Sequence, residues 1–149
     1  MMIKFSDLAF TLVSGALSFT AVTNGFVSAL SPKSPDVSDF FEVQSISGTR
    51  DGDLVTISLE RTIHEPIVMG FTVRIMERNG AGISEFCQME AQPFTYLPGS
   101  VLPEAIDLDW WTHGKCADPP DGESQVWTVW TPEDETLRPI IAVFDIPAK

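Results

Sequence analysis

The sequence predicts a mainly β protein, an antiparallel β-sandwich preceded by one N-terminal hydrophobic helix. The first thirty residues hold a long uncharged run, and beyond it hydrophobic residues alternate with polar ones. Turn signals separate the alternating stretches, and no helical periodicity stands out after residue 30. The 149 residues are enough for one domain and an appendage.

Residues 1–30 are predicted to form a transmembrane signal-anchor helix. No charged side chain occurs from Leu8 to Leu30, and a helix of that length would span about 35 Å, enough for a hydrocarbon core of roughly 30 Å. Two alternatives stay open: a signal peptide cleaved after the small residues around Ser28, and a buried helix of a soluble protein. An anchor would make this a single-pass membrane protein with its C-terminal domain in the periplasm or outside the cell.

Small residues recur within this run at positions that share one face of a helix. In lipid, small residues let helix backbones approach closely, and packing drives their association. The stripe therefore predicts self-association, or docking on another membrane helix, although a segment rich in Ser, Ala and Gly produces such spacing by composition alone. Its members are Ser14, Ser18, Ala21, Gly25 and Ser28.

A short Pro/Ser linker is predicted at 31–41, where Pro32 and Pro35 stop a helix and favour an extended chain. The β-sandwich domain follows at 42–149. Its strands are expected where β-branched and aromatic residues alternate with polar ones, with hairpin turns at Asp51-Gly52 and Asn79-Gly80. The predicted strands are 42–49, 53–64, 67–75, 83–90, 126–131 and 140–146.

The stretch from Pro93 to Asp121 is predicted to be irregular because five prolines interrupt it. Within it, residues 107–115 could form a short strand that directs Trp110 inward and Trp111 outward. Six or more short strands with turns between them are typical of an immunoglobulin-like or fibronectin-like sandwich.

Two cysteines, Cys87 and Cys116, are a candidate disulfide if the domain is exported. In a reducing compartment they would be two idle thiols. A third hypothesis places Cys116 with His113 and a methionine in a soft metal site, although zinc sites normally have paired ligands twice. Calcium in the aspartate-rich turns is a further alternative. No cofactor is predicted.

The net charge of −12 makes nucleic acid an improbable partner, because such a surface repels phosphates. Nucleophilic catalysis needs an activated Ser or Cys, and the two histidines have no partners in a recognisable pattern. We therefore expect a protein that is not an enzyme.

Aromatic residues are the candidate recognition surface. Trp127 and Trp130 are three apart on a strand, so they face opposite sides and one of them is expected in the core. The remaining rings could form a patch from Trp111, Tyr96 and one of Trp127 or Trp130, since exposed aromatics dominate binding hot spots.

The layout resembles small membrane-anchored or secreted β-sandwich proteins of bacteria and their tailed phages. The resemblance covers Leu8–Leu30, the paired hairpins, Asp109-Trp110-Trp111 followed by Cys116, and the turn and strand from Asp121 to Trp130. It implies a scaffold and carries over no binding residues. The expected function is a membrane-tethered module that mediates protein–protein interaction, one version being a phage accessory or lysis-associated component. The alternative is a secreted carbohydrate-binding module with a cleaved signal.

Overall fold

The structure is a computed structural model that describes residues 34–149. The predicted N-terminal helix at 1–30, with its stripe of small residues, lies outside the described residues. Within residues 34–149, the regular structure consists of seven strands and one short helix, α1, after a single 3₁₀ turn at Val37–Asp39. Their bounds are β1 Phe41–Asp51, β2 Leu54–Ile63, β3 Ile67–Asn79, β4 Gly82–Tyr96, β5 Ile106–Asp107, α1 Leu108–Trp111, β6 Ser124–Pro132 and β7 Ile140–Ile146.

The strands form two antiparallel sheets, which confirms the mainly β prediction. One sheet has the order β1-β2-β5, and the other has the order β4-β3-β6-β7. Both predicted hairpins are present: β1 pairs with β2 across Gly52, and β3 pairs with β4 across Gly80. Gly52 has a φ of 63°, a left-handed conformation that glycine adopts without steric cost.

The hydrophobic core lies between the two sheets. Val55 and Ile57 enter it from β2, and Val73 and Ile75 enter it from β3. These residues alternate with polar neighbours because successive side chains of a strand point to opposite faces. The rings of Phe41 and Trp130, one from each sheet, have centroids 5.7 Å apart, so the core is continuous across the interface.

The N-terminal boundary of the folded part differs from the prediction. Val37 and Phe41, which belong to the predicted linker, are both buried in the core. The reason is local: the Asp36 side chain accepts from the backbone of Ser38 and caps a single 3₁₀ turn, which directs Val37 inward. Residues 35–149 form one compact unit.

Residues 107–115, predicted as a short strand with Trp110 inward and Trp111 outward, instead contain the helical turn α1. The Asp107 carboxylate accepts from the backbone N–H of Trp110 at 2.8 Å and caps α1. Helical spacing places Leu108 and Trp111 on one face. The predicted orientation is therefore reversed: Trp111 is 3% exposed and Trp110 is 48% exposed.

Strand β4 is longer than the prediction and includes Pro93, which the sequence predicts to lie in an irregular stretch. In the described part of the chain, β4 is an edge strand whose one paired neighbour is β3. Proline is tolerated on such an edge because its missing N–H is not needed for pairing.

Between residues 34 and 149, no helix is long and apolar enough to cross a membrane.

Candidate binding pocket

An apolar pocket of about 240 Å³ opens on the inner side of the sheets, between the ends of β2 and β4 and the helix α1. We call it the aromatic pocket. Most of its lining is aromatic or aliphatic. The lining residues are Leu59, Arg61, Phe71, Phe94, Thr95, Tyr96, Ser100, Val101, Leu102, Trp110, Trp111, His113 and Trp130.

Three mutually packed rings form the floor of the aromatic pocket. Phe71 and Trp111 meet edge to face with centroids 5.2 Å apart, and Trp130 lies 5.4 Å from Phe71. The indole N–H of Trp111 is directed at the hydroxyl of buried Thr128, with a nitrogen-to-oxygen distance of 3.4 Å. Because each ring is held by the other two, the floor is preorganised.

The rim of the aromatic pocket is more exposed than its floor. The rings of Phe94 and His113 have centroids 5.1 Å apart, and His113 stacks on Trp110 at 6.4 Å. Val101, on the loop opposite, is 89% exposed. The rim therefore continues the apolar surface outward from the floor.

Arg61 is the charged residue of the lining. It occupies an inward position of β2 between Leu59 and Ile63, both of which pack against the core. Its guanidinium carbon lies 5.8 Å from the centre of the Tyr96 ring and 6.0 Å from that of Phe41. Burial lowers the pKa of Arg61, while the neighbouring Tyr96 raises it. Arginine is nevertheless charged at neutral pH.

Tyr96 is partly buried beside Arg61. Burial raises the pKa of its hydroxyl to about 12, although a hydrogen bond with Trp130 and the positive charge of Arg61 both act to lower it. The hydroxyl is therefore neutral at physiological pH and available as a hydrogen-bonding group at the wall of the aromatic pocket.

A disulfide holds the segment that carries α1 against the four-stranded sheet. Cys87 of β4 and Cys116 are bonded, with Cα atoms 5.9 Å apart, which confirms the predicted pairing. Buried Thr112 reinforces the same loop, since its hydroxyl donates to the carbonyl of Leu108 at 2.7 Å and accepts from the backbone of Cys116 at 3.0 Å. The position of Trp111 in the floor therefore depends on this crosslinked loop.

The structure brings together three of the four predicted recognition aromatics. Tyr96, Trp111 and Trp130 all line the aromatic pocket, but Trp111 and Trp130 are buried in its floor and do not form an exposed patch. Trp127 lies on the opposite face of β6, is 42% exposed, and donates its indole N–H to Gln125. Trp127 is therefore separate from the pocket.

Sequence reasoning missed Trp110, Phe94 and Arg61 as lining residues. For Arg61 a signal was present: a charged residue interrupts the apolar alternation of β2 at a position that must face inward. For Phe94 and Trp110 no signal was available, because their placement depends on the length of β4 and on the helical turn of α1.

The metal hypotheses find no support among the described residues. The disulfide occupies Cys116, so it has no thiolate for a metal. Within residues 34–149 no three His, Cys, Asp or Glu side chains are grouped to hold a metal ion. Two of the turn aspartates instead surround an ammonium group: Asp53 lies 2.6 Å and Asp121 3.5 Å from Nζ of Lys149.

Comparison with known proteins gives no family assignment. No family model matches the chain, and no curated protein matches it. The chain is similar to the solution structure of CsgH from R. palustris, with 14% sequence identity, a TM-score of 0.36, and coverage of 72% of this chain and 90% of that chain. A similarity at this level carries no conclusion about function.

Proposed function

We propose that this chain is a non-enzymatic, membrane-tethered module that binds a partner protein in the periplasm or at the cell surface through the aromatic pocket. The observation that carries the proposal is the pairing of a rigid aromatic floor with an exposed rim that bears Trp110. Tryptophan, tyrosine and arginine dominate the binding energy of protein interfaces, and here all three line one cavity.

The disulfide and the N-terminal run support the export part of the proposal. Structural disulfides persist in oxidising compartments and are rare in the cytosol. Cys116 is buried and bonded to Cys87, so the crosslink is part of the folded domain. The uncharged stretch from Leu8 to Leu30 supplies a segment long enough for an anchor.

The strand order supports an immunoglobulin-like or fibronectin-like arrangement of the two sheets. Immunoglobulin constant domains place strands one, two, five and four in one sheet and three, six and seven in the other. This chain differs only in that β4 pairs with β3. Such modules are widespread as extracellular binding domains, which fits the proposed role.

A secreted carbohydrate-binding module is the second candidate. It is favoured by the exposed indole of Trp110, which stacks with His113 at the rim and offers a flat surface to a sugar ring. This candidate requires a cleaved signal peptide, whereas the first requires a retained anchor.

The proposal is tested in the cells that naturally produce the chain, using the full sequence with a C-terminal tag. Fractionation and gels with and without reductant report membrane retention and disulfide formation. A photo-crosslinking amino acid at position 110 is compared with the same residue at 127, on the outer face of β6. We expect full-length, oxidised protein in the membrane and protein adducts from position 110 only.

Other outcomes of this test contradict the proposal. A shortened soluble product that binds oligosaccharides would support the carbohydrate-binding candidate. A soluble, uncleaved and reduced protein would overturn export. Equal adducts from positions 110 and 127 would mean that the aromatic pocket is not the interface.

A further inference from the structure

Arg61 has an unusual position for a charged residue. It projects inward from β2 at a site where its neighbours on the same face, Leu59 and Ile63, are apolar. The side chain of Arg61 is half-buried, so its charge is partly removed from water, which costs free energy unless the charge is paired or hydrogen-bonded. The faces of the Phe41 and Tyr96 rings compensate part of this cost through cation–π contacts.

Most of the hydrogen-bonding capacity of Arg61 is not used by the described part of the chain. A guanidinium has five N–H donors, and within residues 34–149 it makes one hydrogen bond, to the hydroxyl of Ser100 at 3.4 Å. No carboxylate of those residues lies within ion-pairing distance of it. Arg74, by contrast, forms an ion pair with Glu85 at 3.6 Å. The chain carries 21 acidic residues, so carboxylates are plentiful, and yet none of the described ones pairs with Arg61.

The dimensions of the aromatic pocket indicate what could occupy it. Its volume of about 240 Å³ is below the roughly 300–1,000 Å³ of sites for drug-sized ligands, and suits a single bulky side chain. Val101 at the rim is apolar and exposed, so the apolar surface extends beyond the cavity. A peptide segment can use both the cavity and the rim, whereas a small molecule would use the cavity alone.

We propose that the partner is recognised through a peptide segment in which a bulky apolar side chain fills the aromatic pocket and an adjacent carboxylate pairs with Arg61. This inference rests on the proposed protein-binding function and names the chemistry of the partner. A carboxylate accepts two parallel N–H bonds from a guanidinium, which provides direction as well as affinity. The excess negative charge elsewhere on the domain disfavours acidic segments that do not reach Arg61.

The test uses the full chain in lipid nanodiscs and three acetylated, amidated pentapeptides. The first has tryptophan followed by aspartate at its centre, the second replaces that aspartate by asparagine, and the third replaces the tryptophan by alanine. Binding is measured by calorimetry and by the indole N–H signals of Trp111 and Trp130. We expect the aspartate peptide to bind about tenfold more tightly than the asparagine peptide, and the alanine peptide not to bind.

Variants of the protein assign the carboxylate preference to Arg61. In the Arg61→Gln variant, the affinity for the aspartate peptide should fall to the level of the asparagine peptide. The affinity for the asparagine peptide should not change. Arg61→Lys, which keeps the charge without the planar fork, should retain part of the preference and is informative even if Arg61→Gln does not fold. Arg78→Gln, at the far end of β3, makes the same charge change away from the pocket and should bind like the unchanged protein.

The outcomes separate this inference from the proposed function. Equal binding of the aspartate and asparagine peptides would overturn the role of the carboxylate while the aromatic pocket remained a binding site. A preference that survives in Arg61→Gln would overturn the assignment to Arg61. If octanoate bound and no peptide did, both the inference about Arg61 and the proposed protein-binding function would be overturned. The ligand of the aromatic pocket would then be a small amphiphile.

Discussion

The indole of Trp111 meets the ring of Phe71 edge to face, at 90° and with centroids 5.2 Å apart. Phe71 belongs to β3 and Trp111 to α1, so this contact fixes the helical turn on the inner face of the four-stranded sheet. The preceding residue, Trp110, points away from the core and stands at the rim of the aromatic pocket. Two adjacent tryptophans therefore have different roles, one structural and one at the surface.

Truncating these two tryptophans separates their roles. Trp111→Ala should destabilise the fold by about 3–5 kcal/mol, because it removes a buried ring from a packed cluster. Trp110→Ala should cost less than about 1 kcal/mol, since half of the side chain is already exposed. Urea unfolding followed by far-UV circular dichroism measures both. A larger loss for Trp110→Ala would contradict the helical turn at Leu108–Trp111.

The disulfide should contribute strongly to stability. It closes a loop with a sequence separation of 29 residues, for which the loss of chain entropy in the unfolded state predicts roughly 3–4 kcal/mol. The double variant Cys87→Ser/Cys116→Ser should lose about that amount in urea unfolding. Reductant should destabilise the unchanged protein and have no effect on the double variant. An equal response of both proteins to reductant would mean that the crosslink does not stabilise the fold.

Ionisation of Tyr96 should be coupled to unfolding at high pH. Because burial raises its pKa from about 10 to about 12, its contribution to stability is fully present below pH 10. That contribution is lost as the pH rises through 12. Tyr96 is the single tyrosine of the chain, so near-ultraviolet absorbance reports on it alone.

The titration of Tyr96 also reports on Arg61. Arg61→Gln removes a positive charge that lowers the pKa of the hydroxyl, so the midpoint should move upward. Circular dichroism at each pH distinguishes titration of the folded state from unfolding. A midpoint near 10 while the fold is intact would contradict the burial of Tyr96.

The close approach of the two sheets at Gly48 should make that position intolerant of a side chain. A Cβ there would lie 3.2 Å from the carbonyl oxygen of Asp145 and 3.2 Å from the ring of Phe144, both on β7. Gly48→Ala should therefore destabilise the fold by about 1–2 kcal/mol. Gly80→Ala is the matched control, because a Cβ at the β3–β4 turn meets nothing within 4 Å. Thermal unfolding should show a lower midpoint for Gly48→Ala alone.

The sequence was most informative where local patterns decide the structure. The alternation from Ile67 to Ile75 predicted a strand with one buried face, and Asn79-Gly80 predicted the following hairpin. The strand depends only on the pleat. The hairpin forms at the predicted place, but neither Asn79 nor Gly80 has a positive φ: the oxygen of the Asn79 side chain accepts from the backbone N–H of Ala81 at 3.0 Å, and the positive φ is at Gly82. Sequence reasoning failed at 107–115, where the competing factor was the cap that Asp107 provides to α1. A two-residue strand followed by one helical turn has too few residues for a period to be recognised.

Local patterns in the sequence were enough to predict the β class, the two hairpins, the candidate pair Cys87 and Cys116, and the acidic character of the chain. These follow from side-chain periodicity, turn chemistry and composition, which are local properties. Tertiary packing, by contrast, buries Trp111 while Trp110 stays exposed, and it brings Arg61 against Tyr96 at the aromatic pocket. The pocket joins residues from β2, β3, β4, β6 and α1, far apart in the chain, and their meeting depends on how the two sheets pack.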